Sequence, residues 1–145
     1  MVDSYSKAYS YAISLLAKKE YTRAKLHYKL TRYSVSTADI EQLLDELEDK
    51  NYLSDKRFTN SYIHTCYRRG RGPLYIKNKL AQQGVQPGII EEELSQCDLD
   101  WQKSAKQVAY KKFNNLEDLS VTDKITLQHF LYNRGFNGQL QDFIK

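Results

Sequence analysis

The stretch Arg71-Gly72-Pro73-Leu74-Tyr75-Ile76-Lys77-Asn78-Lys79-Leu80-Ala81-Gln82-Gln83-Gly84-Val85 reads as a helix with both ends marked. Pro73 suits a first helical turn, where the amide hydrogen it lacks would have no partner within the helix. Ile76 and Leu80, four residues apart, put two apolar side chains on one face, and Gly84 suits the left-handed residue at which a helix stops. The same offsets recur in Leu26-x-x-Lys29-Leu30 followed by Ser34-Val35, and in Leu127-x-x-Phe130-Leu131 followed by Gly135-Phe136. Ile76 follows Leu26 by 50 residues and Leu127 follows Ile76 by 51, a regularity that three homologous units explain economically.

Around each copy, apolar residues fall at helical spacing in three successive windows separated by turn signals. In the first unit these are Tyr5, Ala8, Tyr9, Ala12 and Leu16, then Leu26 and Leu30, then Ile40, Leu43, Leu44 and Leu47. Ser36, with Asp39 three residues on, predicts the start of the third of these helices. The second unit runs from Phe58, Tyr62 and Cys66 through Ile76 and Leu80 to Ile89, Ile90 and Leu94, with Pro87 at a further helix start. The third has Trp101, Ala105, Val108 and Ala109, then Leu127, Phe130 and Leu131, then a short Leu140, Phe143 and Ile144, with a longer first connection around Asn114 to Thr122. Units spanning residues 1–53, 54–99 and 100–145 follow. A three-helix unit of this size buries only a small core, so neighbours are expected to pack on one another in an elongated, slightly curved all-α tandem array.

The bulk composition of the 145 residues agrees with a folded helical chain: 41% are hydrophobic, with only two prolines and six glycines, and strict alternation of apolar and polar residues is hard to find. No apolar run is long enough for a bilayer crossing, and Met1-Val2-Asp3-Ser4-Tyr5 lacks the basic and apolar regions of a secretory signal, so a cytoplasmic protein with no membrane partner is expected. Cys66 and Cys97 stand far apart, without a CxxC and without histidines at ligand spacing, which predicts two reduced thiols and no zinc site. His27, His64 and His129 are scattered one per unit, and acids such as Glu91-Glu92-Glu93 read as a solvated helix face. No catalytic constellation can be assembled from them, and neither catalysis nor a cofactor is expected.

Charge is informative in its order more than in its sum of +4. Lys7, Lys18, Lys19, Arg23, Lys25, Lys29 and Arg32 face one acid, Glu20, in residues 7–32, whereas residues 33–55 hold seven acids against Lys50 alone. Residues 56–79 hold seven bases and no acid, and residues 80–100 hold five acids and no base. The first two helices of a unit are thus basic and the third acidic; stacked repeats would align the bases into a discontinuous stripe able to meet phosphates or an acidic protein groove. For any single side chain, pairing with a neighbouring helix is the default. The candidates for a partner are Lys25, Lys29, Arg32, Lys56, Arg57, Lys77 and Lys79, together with Arg68, Arg69 and Arg71 of the densest basic segment, Arg68-Arg69-Gly70-Arg71-Gly72. There the glycines would let a partner approach the backbone and the arginines would fork onto phosphate or carboxylate. Of the twelve tyrosines, Tyr9, Tyr62 and Tyr110 are expected to pack, while Tyr67 and Tyr75, flanking the arginine turn, are candidates for a partner.

In order and spacing, these residues resemble the RecX family over nearly the whole chain. The resemblance is carried by Tyr11-Ala12-Ile13-Ser14-Leu15-Leu16-Ala17, by Asn51-Tyr52-Leu53-Ser54-Asp55-Lys56-Arg57-Phe58, and by Arg71-Gly72-Pro73 through Gly84-Val85. It extends to the Cys97-Asp98-Leu99-Asp100-Trp101 junction and to Phe130-Leu131-x-x-Arg134-Gly135-Phe136. It implies three tandem repeats of three helices, winged-helix-like without the wing, in a curved molecule. It also implies binding to the RecA filament on single-stranded DNA, as a monomer lying in the filament groove and touching the DNA directly or only through the filament. Suppressed ATP hydrolysis, strand exchange and co-protease activity follow, which tunes DNA repair and the SOS response by steric means that need only a binding surface. Lys25, where the family often has an acid, and Ser34, where it has glycine, depart from the pattern. Without the resemblance, a helix-turn-helix-like duplex DNA binder would be the main rival, although its groove-entering third helix would here be acidic. A protein adaptor that never touches DNA is a third reading.

Overall fold

The computed structural model describes residues 3–137 and holds eight α-helices and, among those residues, no strand. In chain order these are α1 Ser4–Leu16, α2 Arg23–Leu30, α3 Thr37–Asp49, α4 Asp55–Arg68, α5 Pro73–Gln82, α6 Pro87–Gln96, α7 Trp101–Lys112 and α8 Val121–Asn133. The expected last short helix, with Leu140, Phe143 and Ile144, lies outside the described residues, as does the Met1-Val2 start.

The helix starts are written in the sequence. Asp3, Thr22, Ser36, Ser54, Asp100 and Ser120 each accept the amide hydrogen of the third residue on through a side-chain oxygen. Such a cap satisfies one of the free donors at a helix N-terminus and contributes about 1 kcal/mol. α5 and α6 have no side-chain cap and begin instead at Pro73 and Pro87.

Helix packing is concentrated within α1–α3, within α4–α6 and between α7 and α8. Each group has its own buried cluster, and the repeated apolar pair sits at the heart of each: Leu26 and Leu30, Ile76 and Leu80, Leu127 and Leu131 are all fully buried. Truncating any of them to alanine would cost about 2–5 kcal/mol, a large share of what a small unit has. Trp101 packs against both the second and the third cluster and so ties them together.

The turn after each middle helix shows what one side chain changes. At Gly84 and Gly135 the backbone is left-handed, with φ of 84° and 96°, and the next amide donates back to the fifth residue before it, Val85 to the Leu80 carbonyl and Phe136 to the Leu131 carbonyl. That fold-back buries Val85 and Phe136. Ser34 is not left-handed; the Val35 amide donates to the Tyr33 carbonyl instead, and Val35 stays half-buried.

The junctions between groups differ in chemistry. Between the first and second, Arg57 Nε donates to both Glu20 carboxylate oxygens, at 2.9 and 2.6 Å, and its other nitrogens reach the Asn51 and Tyr52 carbonyls. Asp55 accepts the Arg23 amide at 2.7 Å, and Gly84 lies against Ala24. Between the second and third, the free amides at the start of α5 meet the free carbonyls at the end of α8: Gly72 donates to Arg134 at 2.7 Å and Leu74 to Gly135 at 3.0 Å. One helix end caps another.

Two sequence expectations are corrected. Tyr110 is exposed, at 45%, because the buried face of α7 runs through Ala105, Val108 and Ala109 and the next residue falls about 100° off it. Glu93 is buried, unlike Glu91 and Glu92: it follows Ile90 by three residues on the inward face of α6, at the position Leu43 takes in α3.

Candidate partner-binding surface

α4 ends in Arg68, and the chain then reverses over Arg69 and Gly70, with the Arg71 amide donating to the Cys66 carbonyl at 2.9 Å. This reversal carries three arginines within four residues. Arg68 and Arg69 are exposed, and Arg68 donates back to its own helix at Thr65 Oγ1, 3.2 Å away. Arg71 is half-buried, its guanidinium 5.0 Å from the centre of the Tyr75 ring, which the Lys79 ammonium also approaches at 5.6 Å. A ring between two cations offsets part of their mutual repulsion.

α2 presents the same motif on the equivalent helix of the first group. Lys29 stands 5.9 Å and Lys19 5.0 Å from the Tyr21 ring, and exposed Lys25 stands 6.0 Å from Tyr28. Arg32, also exposed, lies over Tyr11 at 5.1 Å and Tyr33 at 5.8 Å, and the two rings are 5.5 Å apart. Lys56 is exposed on the first turn of α4.

The remaining nominated residues are engaged within the chain. Arg57 forms the junction described above, and Lys77 pairs with Glu91 at 3.3 Å. Tyr67 packs edge-on against Trp101, 5.4 Å between centroids, and its hydroxyl donates to the Asp100 carbonyl. The glycines of the arginine turn also change meaning. The sequence reading gives Gly70 and Gly72 to the approach of a partner; the approach is made by the chain's own third group, since a Cβ at Gly72 would meet the Gly135 carbonyl oxygen at 2.5 Å and one at Gly70 would meet Val108 at 2.8 Å.

That junction brings in cations the sequence reading left out. Arg134 lies 5.0 Å and Lys112 5.2 Å from the Phe130 ring, and Arg134 Nη1 would be 3.8 Å from a Cβ on Gly70, beside the arginine turn. No linear window of charge could have found Arg134, because it reaches the turn only through the contact of α8 with α5.

Two sets of bases therefore emerge. Arg23 is held by Glu41 at 2.6 Å, Asp45 at 2.9 Å and Glu48, while Lys50, Arg57 and Lys77 also have carboxylate partners. Among the described residues, no carboxylate oxygen lies within 4.0 Å of Lys25, Lys29, Arg32, Lys56, Arg68, Arg69, Arg71, Lys79 or Arg134. Glu41, Asp45 and Glu48 of α3 close on Arg23, and Glu46 on Lys50 beside the Tyr9 ring, while the cations around Tyr21, Tyr28, Tyr11, Tyr33 and Tyr75 keep no carboxylate partner among the described residues. Behind the arginine turn, burial pushes the Cys66 thiol above its ordinary value, and burial does the same to the Tyr62 hydroxyl, with Cys66 and Tyr75 adding to it. Among the described residues no three of His, Cys, Asp and Glu are grouped so as to hold a metal, and no helix is long and apolar enough to cross a membrane.

Fold and surface together define a helical-repeat protein whose distinguishing feature is a set of cations with no carboxylate partner among the described residues, several of them beside aromatic rings. The model of the RecX second three-helix domain matches residues 54–94. The chain is 35% identical over 140 residues to the regulatory protein RecX of Mannheimia succiniciproducens, covering 94% of this chain and 92% of that one. It is likewise 35% identical over 132 residues to regulatory protein RecX of Legionella pneumophila, covering 91% and 88%. The crystal structure of RecX from Lactobacillus salivarius superposes with a TM-score of 0.86 at 23% identity, covering 99% of this chain and 96% of that one. A second crystal structure of regulatory protein RecX gives 0.82, also at 23% identity, with 98% and 71% covered. The chain belongs to the RecX family of regulatory proteins.

Proposed function

We propose that this chain docks as a monomer along the RecA filament on single-stranded DNA and thereby inhibits its ATPase, strand-exchange and co-protease activities. The observation that carries this reading is the partition of bases: among the described residues, Lys25, Lys29, Arg32, Arg68, Arg69, Arg71 and Lys79 have no carboxylate partner, whereas acids of α3 and α6 pair with Arg23, Lys50 and Lys77. Leaving like charges unneutralised beside one another costs stability, and a polyanion or an acidic protein groove offsets that cost on binding. With units placed at 1–53, 54–99 and 100–145, these bases are spread over the first two and Arg134 extends them to the third, which suits an extended, repeating partner better than a compact one. Inhibition is steric: a chain seated across neighbouring protomers opposes their relative movement and needs no reaction centre. A duplex reader would lead with its third helix, and α3 instead carries Glu41, Asp45 and Glu48.

The test is a titration of this protein into RecA on single-stranded DNA, with ATP hydrolysis as the readout. Inhibition should appear at or below one chain per protomer and weaken as salt screens the contacts. Arg68→Ala with Arg69→Ala should shift the titration to higher protein without loss of helix content, since both side chains are exposed. Unchanged hydrolysis across the titration at low salt would contradict the reading.

A further inference from the structure

Beside the arginine turn, α5 and the end of α8 enclose a cleft of about 310 Å³ lined by Tyr75, Asn78, Lys79, Gln82, Tyr132 and Asn133. It exists because Gly72 and Leu74 donate to the carbonyls of Arg134 and Gly135, which brings the two helix ends together. Three features of its lining are informative. Tyr132 is 55% exposed, and among the described residues neither a ring nor a cation occupies its face, unlike Tyr75, whose ring is already taken by Arg71 and Lys79. Asn78, Gln82 and Asn133 bring three side-chain amides, each with both donors and an acceptor. Lys79, which has no carboxylate partner among the described residues, lines the cleft and shares the Tyr75 ring with Arg71.

We infer that this cleft seats one unstacked base of a single-stranded nucleic acid, the base lying on Tyr132, its edge meeting the amides, and its phosphate meeting Lys79 and Arg71. The chemistry selects this occupant over an acidic peptide. A carboxylate accepts hydrogen bonds only, so the amide carbonyl oxygens would face it unfavourably, whereas base edges carry donors and acceptors together. A free ring face offers nothing to a carboxylate and stacks on any base. A volume near 300 Å³ is at the small end of ligand pockets, the scale of a single nucleotide and not of a helix. The base must be splayed from its strand to enter, which excludes an intact duplex. The inference deepens the proposed function, on which it rests: it makes the DNA of the filament a direct partner at the junction of the second and third groups.

The experiment compares two dye-labelled probes of equal length and charge, an oligothymidylate and an oligomer of abasic deoxyribose phosphates, in fluorescence-anisotropy titrations of the full chain. The base-bearing probe should bind about five-fold or more tightly, the range of one stacked base. Tyr132→Ala should abolish that preference and leave the affinity for the abasic probe unchanged, while Tyr132→Trp should keep it. Equal affinity of the parent for both probes, a preference that survives Tyr132→Ala, or no binding of either probe would overturn the inference. The same variants are carried through the RecA ATPase titration: inhibition by a parent that shows no base preference defeats the base seat alone, and base preference without inhibition defeats the filament reading alone.

Discussion

An alanine Cβ at Gly72 would lie 2.5 Å from the Gly135 carbonyl oxygen, where backbone on both sides leaves nothing to move, whereas at Gly88 it would meet nothing within 4 Å. Gly72→Ala should therefore destabilise the chain by about 1–3 kcal/mol and weaken the Gly72–Arg134 hydrogen bond, while Gly88→Ala, in helix α6, should be neutral or stabilising by about 0.5 kcal/mol; urea unfolding of the two variants checks both signs. A pH prediction comes from the same neighbourhood. Cys66 and Tyr62 are neutral when protonated and hold their protons more tightly folded than unfolded, because burial disfavours their charged forms. Their contribution is therefore complete at neutral pH and is lost as pH rises past the unfolded values of 9.0 and 10.0, so stability should fall steadily above about pH 9, less steeply in Cys66→Ala. At this scale the sequence was legible where one residue decides alone. Gly84 as a helix stop is such a case; Glu93 is not, since its neighbours Glu91 and Glu92 disguise an inward position that only the register of α6 reveals.

Helices could be placed from the sequence because their ends carry their own chemistry: Ser36 accepts the Asp39 amide at 3.1 Å, and Pro73 and Pro87 open α5 and α6. Contacts between groups could not, because they join residues far apart in the chain. Arg57 reads as one more base in a basic run, yet its guanidinium closes the first junction on Glu20, Asn51 and Tyr52. Arg57→Ala should cost about 1 kcal/mol, as expected of a partly exposed ion pair, and raise hydrogen exchange at the Arg23 amide and in residues 51–57. Arg57→Lys should recover little of either, because one compact ammonium cannot meet the carboxylate and the two carbonyls that three guanidinium nitrogens reach together. An Arg57→Ala chain with unaltered exchange at this junction would return Arg57 to the partner-facing set. The second junction, built from backbone hydrogen bonds and Trp101, should be insensitive to the salt that loosens the first.

At the scale of the whole molecule, the order of charge along the chain predicts two basic helices followed by an acidic one in a unit, and the structure adds how the acids are used. Glu41, Asp45 and Glu48 close on Arg23, Glu46 on Lys50 and Glu91 on Lys77, which leaves Lys25, Lys29, Arg32, Arg68, Arg69, Arg71 and Lys79 without a carboxylate among the described residues. Arg134 joins them across a junction that no local pattern announces. The most direct test of this partition is an image, at side-chain detail, of the chain bound to a RecA filament on single-stranded DNA. The account predicts α2, α5 and the arginine turn against the filament, with α3 and α6 turned away and Arg57 still on Glu20. A chain seated through the acidic faces of α3 and α6, with Arg68, Arg69 and Lys79 in solvent, would contradict it.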